Sequence, residues 1–139
     1  MDIGKVIDVK NCKRGYILKG TKNHQVKIEN GKPVIGHFMV FYDSLNNYDF
    51  QGAMITSSDY NGQNALMQVE HFFTENNTGE AFKVTYNNSH MVNAKLHKFH
   101  DMGEFILVGM LTEKGITFME ELISNLPSVT WEQYLKNNN

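Results

Sequence analysis

The stretch VIGHFMVFYDSLNNYDFQGAMITSS, residues 34–58, decides how the chain folds. Two apolar segments, 34–43 and 49–56, flank the sequence LNNY at 45–48, where asparagine favours a reversal of the chain. The pattern predicts two long strands paired as an antiparallel hairpin. Since the turn joins their near ends, we expect the start of the first strand to lie beside the end of the second.

Side chains on the first of these strands alternate between two faces, and both faces are largely apolar. The alternating sets are His37, Met39 and Phe41 on one side and Phe38, Val40 and Tyr42 on the other. A strand with two apolar faces is internal to a fold. The polar groups at its ends are therefore the ones expected to be accessible.

Around this hairpin, short apolar or alternating runs separated by Asn and Gly predict further strands of an antiparallel sheet. The additional predicted strands cover residues 5–9, 16–19, 82–86, 91–99 and 104–111. After Leu111 the apolar period becomes helical, with Thr112 as the expected N-cap, and Thr130 with Gln133 resembles a capping box that opens a second helix. We therefore predict a mainly β (β+α) fold in which the sheet closes into a barrel or bends strongly beneath C-terminal helices.

Length and composition indicate one domain over residues 1–139, with a helical part at 111–136. The chain has 139 residues, of which 41% are hydrophobic, enough for a single core. The start of the chain does not resemble a secretion signal, no apolar segment is long enough to cross a bilayer, and Cys12 is the only cysteine. These features predict a soluble, cytoplasmic protein with no membrane association.

Charge is distributed unevenly along the chain. The net charge is −2, yet residues 1–32 contain eight Lys and Arg against three Asp and Glu, a local charge of +5. A basic segment of this kind favours contact with phosphates, because it releases condensed counterions. The alternative is a solvated loop whose lysines keep the protein soluble.

Several segments together resemble one family. The order GKVIDV (4–9), a basic loop, GKPVIGHFMVFYD (31–43), a strand ending AMITSS (53–58), and VGMLTEKGITFMEELI (108–123) is similar to the MazF/PemK toxins over roughly residues 4–126. The resemblance implies an SH3-like antiparallel barrel that cleaves single-stranded RNA without metal, as the toxin of a bacterial toxin–antitoxin system. It also implies a homodimer that is inhibited by an antitoxin protein.

Only a few positions of this sequence match catalytic residues of the family. Where the family has a catalytic arginine, this sequence has Gly36 and His37, and no arginine. The family's hydroxyl residue at the end of the next strand matches Thr56, with Ser57 beside it. Attack of a 2′-OH on the adjacent phosphate needs a base, an acid and donors to the phosphate oxygens. His37 can act as either the base or the acid, and Thr56 or Ser57 can donate a hydrogen bond to a phosphate oxygen. The structural alternatives are that His37 caps its strand and that Thr56 is a β-favouring residue at the end of a strand.

Binding of RNA is predicted for three basic and two aromatic residues: Arg14, Lys22, Lys32, Tyr48 and Tyr60. Arg14 is the only arginine, and its planar fork suits phosphate better than lysine does; the tyrosines fall in predicted turns, where they can stack on bases. His97 and His100, three apart on a strand, face opposite ways and predict no zinc site. No glycine-rich phosphate loop is present, so no cofactor is predicted.

Two other functions stay open on the residues alone. A non-catalytic SH3-like barrel that binds nucleic acid or a protein partner is the main alternative, because a fold does not fix the chemistry. The absence of the family arginine favours this alternative, whereas the presence of His37 close to Thr56 favours the enzyme. The third is a barrel enzyme or defence-system component with an unspecified substrate.

Overall fold

The hairpin at the centre of the sequence is also the centre of the fold. A computed structural model describes residues 3–20, 27–29, 32–34, 38–98 and 104–137. In it, strand β5 (Phe38–Ser44) pairs antiparallel with β6 (Phe50–Thr56). The register joins Phe38 to Ile55 at one end and Ser44 to Phe50 at the turn. The predicted hairpin is confirmed.

Strand β5 separates two hydrophobic clusters. Met39 and Phe41 belong to one cluster, whereas Val40 is buried in the other, with Phe38 and Tyr42 packed partly against it. The period-2 alternation read from the sequence is therefore confirmed, and the strand is internal on both faces. Its ends carry the polar surface.

The remaining strands extend this hairpin into a nine-stranded sheet. They are β1 (Val6–Ile7), β2 (Tyr16–Gly20), β7 (Ala65–Leu66), β8 (His90–Met91), β9 (Lys95–Lys98), β10 (Phe105–Met110) and β11 (Ser128–Val129). The strand order in the sheet is β1-β10-β2-β5-β6-β8-β7. Strand β9 pairs antiparallel with β6 and parallel with β11. Two further strands, β3 (Lys27–Glu29) and β4 (Lys32–Val34), form a separate hairpin.

A mainly β fold followed by two helices is thus confirmed, but finer predictions about the sheet are not. Pairing among the described strands does not return from β7 to β1, so the sheet is not closed and the barrel is not confirmed. The predicted strand 91–99 is divided into β8 and β9. The division places β8 beside the end of β6 and β9 beside its beginning.

Both C-terminal helices begin where their capping residues predict. Helix α1 (Glu113–Ile123) has Thr112 as N-cap, whose hydroxyl accepts a hydrogen bond from the amide of Gly115 at 3.3 Å. Helix α2 (Trp131–Asn137) opens with the reciprocal Thr130–Gln133 capping box, in which the two hydrogen bonds measure 2.8 and 3.2 Å. Among the described residues, no helix is long and apolar enough to cross a membrane.

The start of α1 is fixed against a single-turn 3₁₀ helix at Val69–His71. The amide of Thr112 donates to the carbonyl of His71 at 3.0 Å, and the Thr112 hydroxyl donates to that of Glu70 at 2.7 Å. At Gly115, an added Cβ would come 2.3 Å from the His71 carbonyl oxygen. The glycine is therefore required for this close approach of helix and turn.

Candidate functional site

A pocket of about 530 Å³ opens where β6 ends. Its volume lies within the range of about 300–1,000 Å³ that is usual for small-molecule sites. The apolar part of its lining is formed by Phe38, Ile55, Val84 and Tyr86. The polar part is formed by Thr56, Ser57, Lys83, Thr85, Asn87 and Ser89. This lining includes the two hydroxyl residues that the sequence selected, Thr56 and Ser57.

The end of β6 presents these two hydroxyls because the strand stops there. Ile55 still pairs with Phe38 on one side and with Met91 on the other. One residue later, the Thr56 hydroxyl accepts a hydrogen bond from the amide of Ser58 at 3.3 Å. This local bond forms a turn and uses an amide that strand pairing would otherwise need. Ser57 is consequently exposed, with its hydroxyl free of hydrogen bonds to the described residues.

The opposite wall comes from residues 82–89, where the predicted strand 82–86 is wrong. Phe82 and Val84 are buried, as the alternation predicts, but only the Val84 amide reaches a neighbour in the sheet, the carbonyl of Val108 at 2.8 Å. Strand β10 already pairs with β2 on one edge and with β1 at its beginning on the other. Little of its edge remains, so the segment docks at one point without forming a ladder.

One positive charge stands at the pocket. Lys83 is exposed, and it forms no ion pair or hydrogen bond with the part of the chain that the structure describes. Its ammonium group lies against the turn at Gly4, where an added Cβ would come 2.7 Å from Nζ. Lys83 can therefore bind an anion without first breaking an ion pair or hydrogen bond to any described residue.

The structure places a histidine beside Thr56, and that histidine is His90. The two residues are direct partners in the β6–β8 register, so their side chains share a face with Cβ atoms about 4.5–5.5 Å apart. His90 is 7% exposed, and its Nδ1 lies 3.1 Å from the carbonyl oxygen of Asn88. Because a carbonyl only accepts, Nδ1 carries the proton and Nε2 carries the lone pair of the neutral ring. His37 lies outside the described residues.

Several predicted RNA-binding residues are placed away from the pocket. Arg14 contacts Tyr42, which stands four residues along β5 from Phe38, about 13 Å for an extended strand. Tyr48 is 63% exposed in the turn at the far end of β6, about 20 Å from Thr56 by the same measure.

Of the other predicted contacts, Tyr60 is half-buried and follows Thr56 by four residues, in a turn where its φ is +49°. Lys22 lies outside the described residues. Only the backbone of Lys32 is described, at the start of β4.

Sequence reasoning did not select three residues that the fold brings to this region: Lys83, Asn87 and His90. The first two were visible as polar members of the alternating run FKVTYNN, 82–88. Their nearness to Thr56 depends on a long-range contact between β6 and the 82–89 segment, which no local pattern predicts. His90 precedes the predicted strand 91–99, and no pattern in the sequence links it to Thr56.

Comparison with protein-family models, with curated proteins and with solved structures gives no match. Within the described residues, no group of three or more His, Cys, Asp or Glu side chains is placed to hold a metal ion.

Proposed function

We propose that this chain is a metal-independent endoribonuclease that cleaves single-stranded RNA, with an SH3-like barrel as its fold and a role as the toxin of a bacterial toxin–antitoxin pair. One observation carries the proposal. Thr56 and Ser57 line the same pocket as Lys83, which forms no ion pair or hydrogen bond with the described residues. Hydroxyl and ammonium donors converging on one site suit the non-bridging oxygens of a phosphodiester.

In the proposed reaction, the 2′-oxygen attacks the adjacent phosphorus and the bond from phosphorus to the 5′-oxygen breaks. A base takes the proton of the 2′-OH, and an acid gives a proton to the departing 5′-oxygen. The products are a 2′,3′-cyclic phosphate and a 5′-hydroxyl. Lys83, Thr56 and Ser57 stabilise the charge that grows on the phosphoryl oxygens.

Imidazole is the side chain best suited to the two proton transfers near neutral pH. His37 is the candidate from the sequence, and His90 is the candidate from its pairing with Thr56. The contact of His90 with the Asn88 carbonyl leaves Nε2 as the atom that accepts a proton.

The family resemblance, rather than the pocket, supports the proposed partners. A homodimer and an antitoxin protein that covers the RNA-binding surface are both part of that resemblance. Light scattering coupled to gel filtration measures the first. Co-purification with the product of a small adjacent gene tests the second.

The enzymatic proposal is tested with the purified full chain and a single-stranded RNA pool in EDTA. We expect cleavage to products with 2′,3′-cyclic phosphate ends, and resistance of a substrate that is 2′-deoxy at the scissile nucleotide. Thr56→Val and Lys83→Ala should each lower the rate about 10–1,000-fold. Thr117→Val on the exposed side of α1 and Lys136→Ala on α2 are the matched controls. Cleavage that survives both pocket substitutions refutes the site.

The same assay assigns the proton roles. His37→Ala and His90→Asn are compared on the same RNA, with the pH dependence of the rate measured for each. The variant that loses both the rate and one limb of the pH profile identifies the catalytic imidazole. If neither substitution affects cleavage, imidazole catalysis is refuted while the phosphate site stands.

A specific observation favours the second candidate function, a non-catalytic module that binds nucleic acid. Arg14, the only arginine, is engaged with Glu120 and Tyr42 at the surface, in contacts within the protein itself. In that case the pocket binds RNA and no product forms. Binding that weakens in Lys83→Ala, together with intact RNA after long incubation, identifies this function.

A further inference from the structure

We infer that the pocket at the end of β6 is a subsite for one unpaired nucleobase together with its adjoining phosphate, and that Asn87 reads the base. The inference rests on the proposed RNA-directed function and adds to it which nucleotide unit is held and by which residues. It arises from the division of the pocket lining into an apolar part and a polar part.

The apolar part suits the flat faces of a base. Phe38 and Ile55 contribute from the β5–β6 hairpin, and Tyr86 contributes from the opposite wall. The ring of Tyr86 lies 6.1 Å from that of Phe72, at an interplanar angle of 55°, so a buried neighbour holds it in place. A fixed aromatic ring beside aliphatic groups is the kind of surface on which unpaired bases stack.

The polar edge carries an amide that is available for reading a base. Asn87 is exposed, and its carboxamide forms no hydrogen bond with any described residue. Its main chain is held, because its amide donates to the Ser89 hydroxyl at 3.4 Å and Asn88 follows with φ of +50°. A carboxamide offers a donor and an acceptor side by side, which pairs best with the N6 and N7 atoms of adenine.

The phosphate belongs at the opposite end of the same wall. Lys83 and Asn87 are both exposed, and the half-buried Thr85 lies between them in the sequence. Phe82 and Val84 anchor the segment through burial, and the Val84 amide anchors it through the carbonyl of Val108. The wall thus presents a cation, a hydroxyl and an amide in sequence, next to Thr56 and Ser57.

The test maps cleavage positions of the full chain on a random RNA pool and compares Asn87→Ala with Lys83→Ala. We expect the wild type to prefer adenine at one position next to the cut, by about tenfold. Asn87→Ala should lose that preference, so that cleavage next to adenine falls to the rate seen next to the other bases, whereas Lys83→Ala should slow cleavage of all sequences alike. Asn77→Ala, in an exposed turn of the described chain, is the matched control.

Failure of the inference is distinguishable from failure of the proposed function. An unchanged base preference in Asn87→Ala overturns the inference while the nuclease stands. If the wild type cuts no RNA, binding of a 2′-O-methyl oligonucleotide replaces cleavage as the readout. Loss of the adenine preference in Asn87→Ala then supports the subsite, whereas equal binding of all sequences by the wild type overturns it.

AMP and inorganic phosphate are tested in parallel as competitors for the bound oligonucleotide. Displacement by AMP alone supports base recognition, and equal displacement by both overturns it.

Discussion

The guanidinium of Arg14 lies over the ring of Tyr42, 4.1 Å from its centroid, and its Nε donates a hydrogen bond to the main-chain carbonyl of the same residue at 3.0 Å. Its NH1 nitrogen also pairs with Glu120 at 2.5 Å. The tyrosine hydroxyl in turn donates to Ser124 at 3.1 Å. These contacts connect the loop before β2, the end of β5 and the last turns of α1.

We therefore expect Arg14→Ala to destabilise the fold by about 1–3 kcal/mol. The value combines a partly exposed ion pair of up to about 1 kcal/mol, a cation–π contact of about 0.5–1 kcal/mol and one hydrogen bond of about 1 kcal/mol. Urea unfolding measures it, with Lys13→Ala as the control for an exposed cation of the same segment. A large loss of RNA affinity without loss of stability would instead assign Arg14 to RNA.

Patterns local to the chain predicted most of the fold. The hairpin of β5 and β6 follows from two apolar runs around an asparagine turn, and the start of α1 follows from Thr112. Residues 82–86 show where such reasoning stops. The alternation of apolar and polar residues predicts their burial correctly. A strand also needs a free sheet edge to pair with, and on β10 only the Val108 carbonyl accepts a hydrogen bond from this segment.

The site was less predictable than the fold, for the same reason. Thr56 and Ser57 could be selected because the end of a strand is visible in the sequence. Lys83 and Asn87 reach the pocket only through contacts between segments that are about thirty residues apart, a feature of the tertiary structure. The predicted roles of His37 and Lys22, which lie outside the described residues, stay predictions.

Gly52 should be the least replaceable glycine in the sheet. It pairs with Phe41 next to the irregular register of β5, and an added Cβ would lie 1.9 Å from the carbonyl oxygen of Val40. Since that oxygen belongs to the backbone of the central strand, Gly52→Ala should cost about 3 kcal/mol or more, or prevent folding. Gly62→Asn is the control, because asparagine tolerates φ of +83° and no atom lies within 4 Å. Equal thermal stability of the two variants would contradict the expectation.

Acid should weaken the fold partly through His71. Burial lowers the pKa of His71 below its ordinary value of 6.5, while Glu70 raises it and Lys114 lowers it further. The unfolded chain therefore binds the proton more readily. The stabilising contribution is complete above about pH 6.5, and it is lost as the pH falls from there through the lower folded pKa.

His71→Asn keeps an acceptor for the Gln68 amide, which now donates to Nδ1 at 3.0 Å, and removes the titration. Between pH 7 and pH 5, the free energy of unfolding should fall less steeply in this variant than in the wild type. The other histidines are present in both proteins and cancel in the comparison. Parallel pH profiles would show that His71 takes up its proton equally in the two states.

The single thiol should be nearly inert in the folded protein. Burial, with a smaller contribution from the charge of Asp8, raises the pKa of Cys12 from 9.0 to about 12. At pH 8 only about one thiol in 10⁴ is then ionised, and the thiolate is the reactive form. Alkylation by iodoacetamide at pH 8 should be slow in buffer and fast in urea, and Asp8→Asn should raise the native rate modestly. Equal rates in buffer and urea would contradict this expectation. They would mean that the thiol is accessible, that its pKa is not raised, and that Cys12 does not pack against the core beside β2.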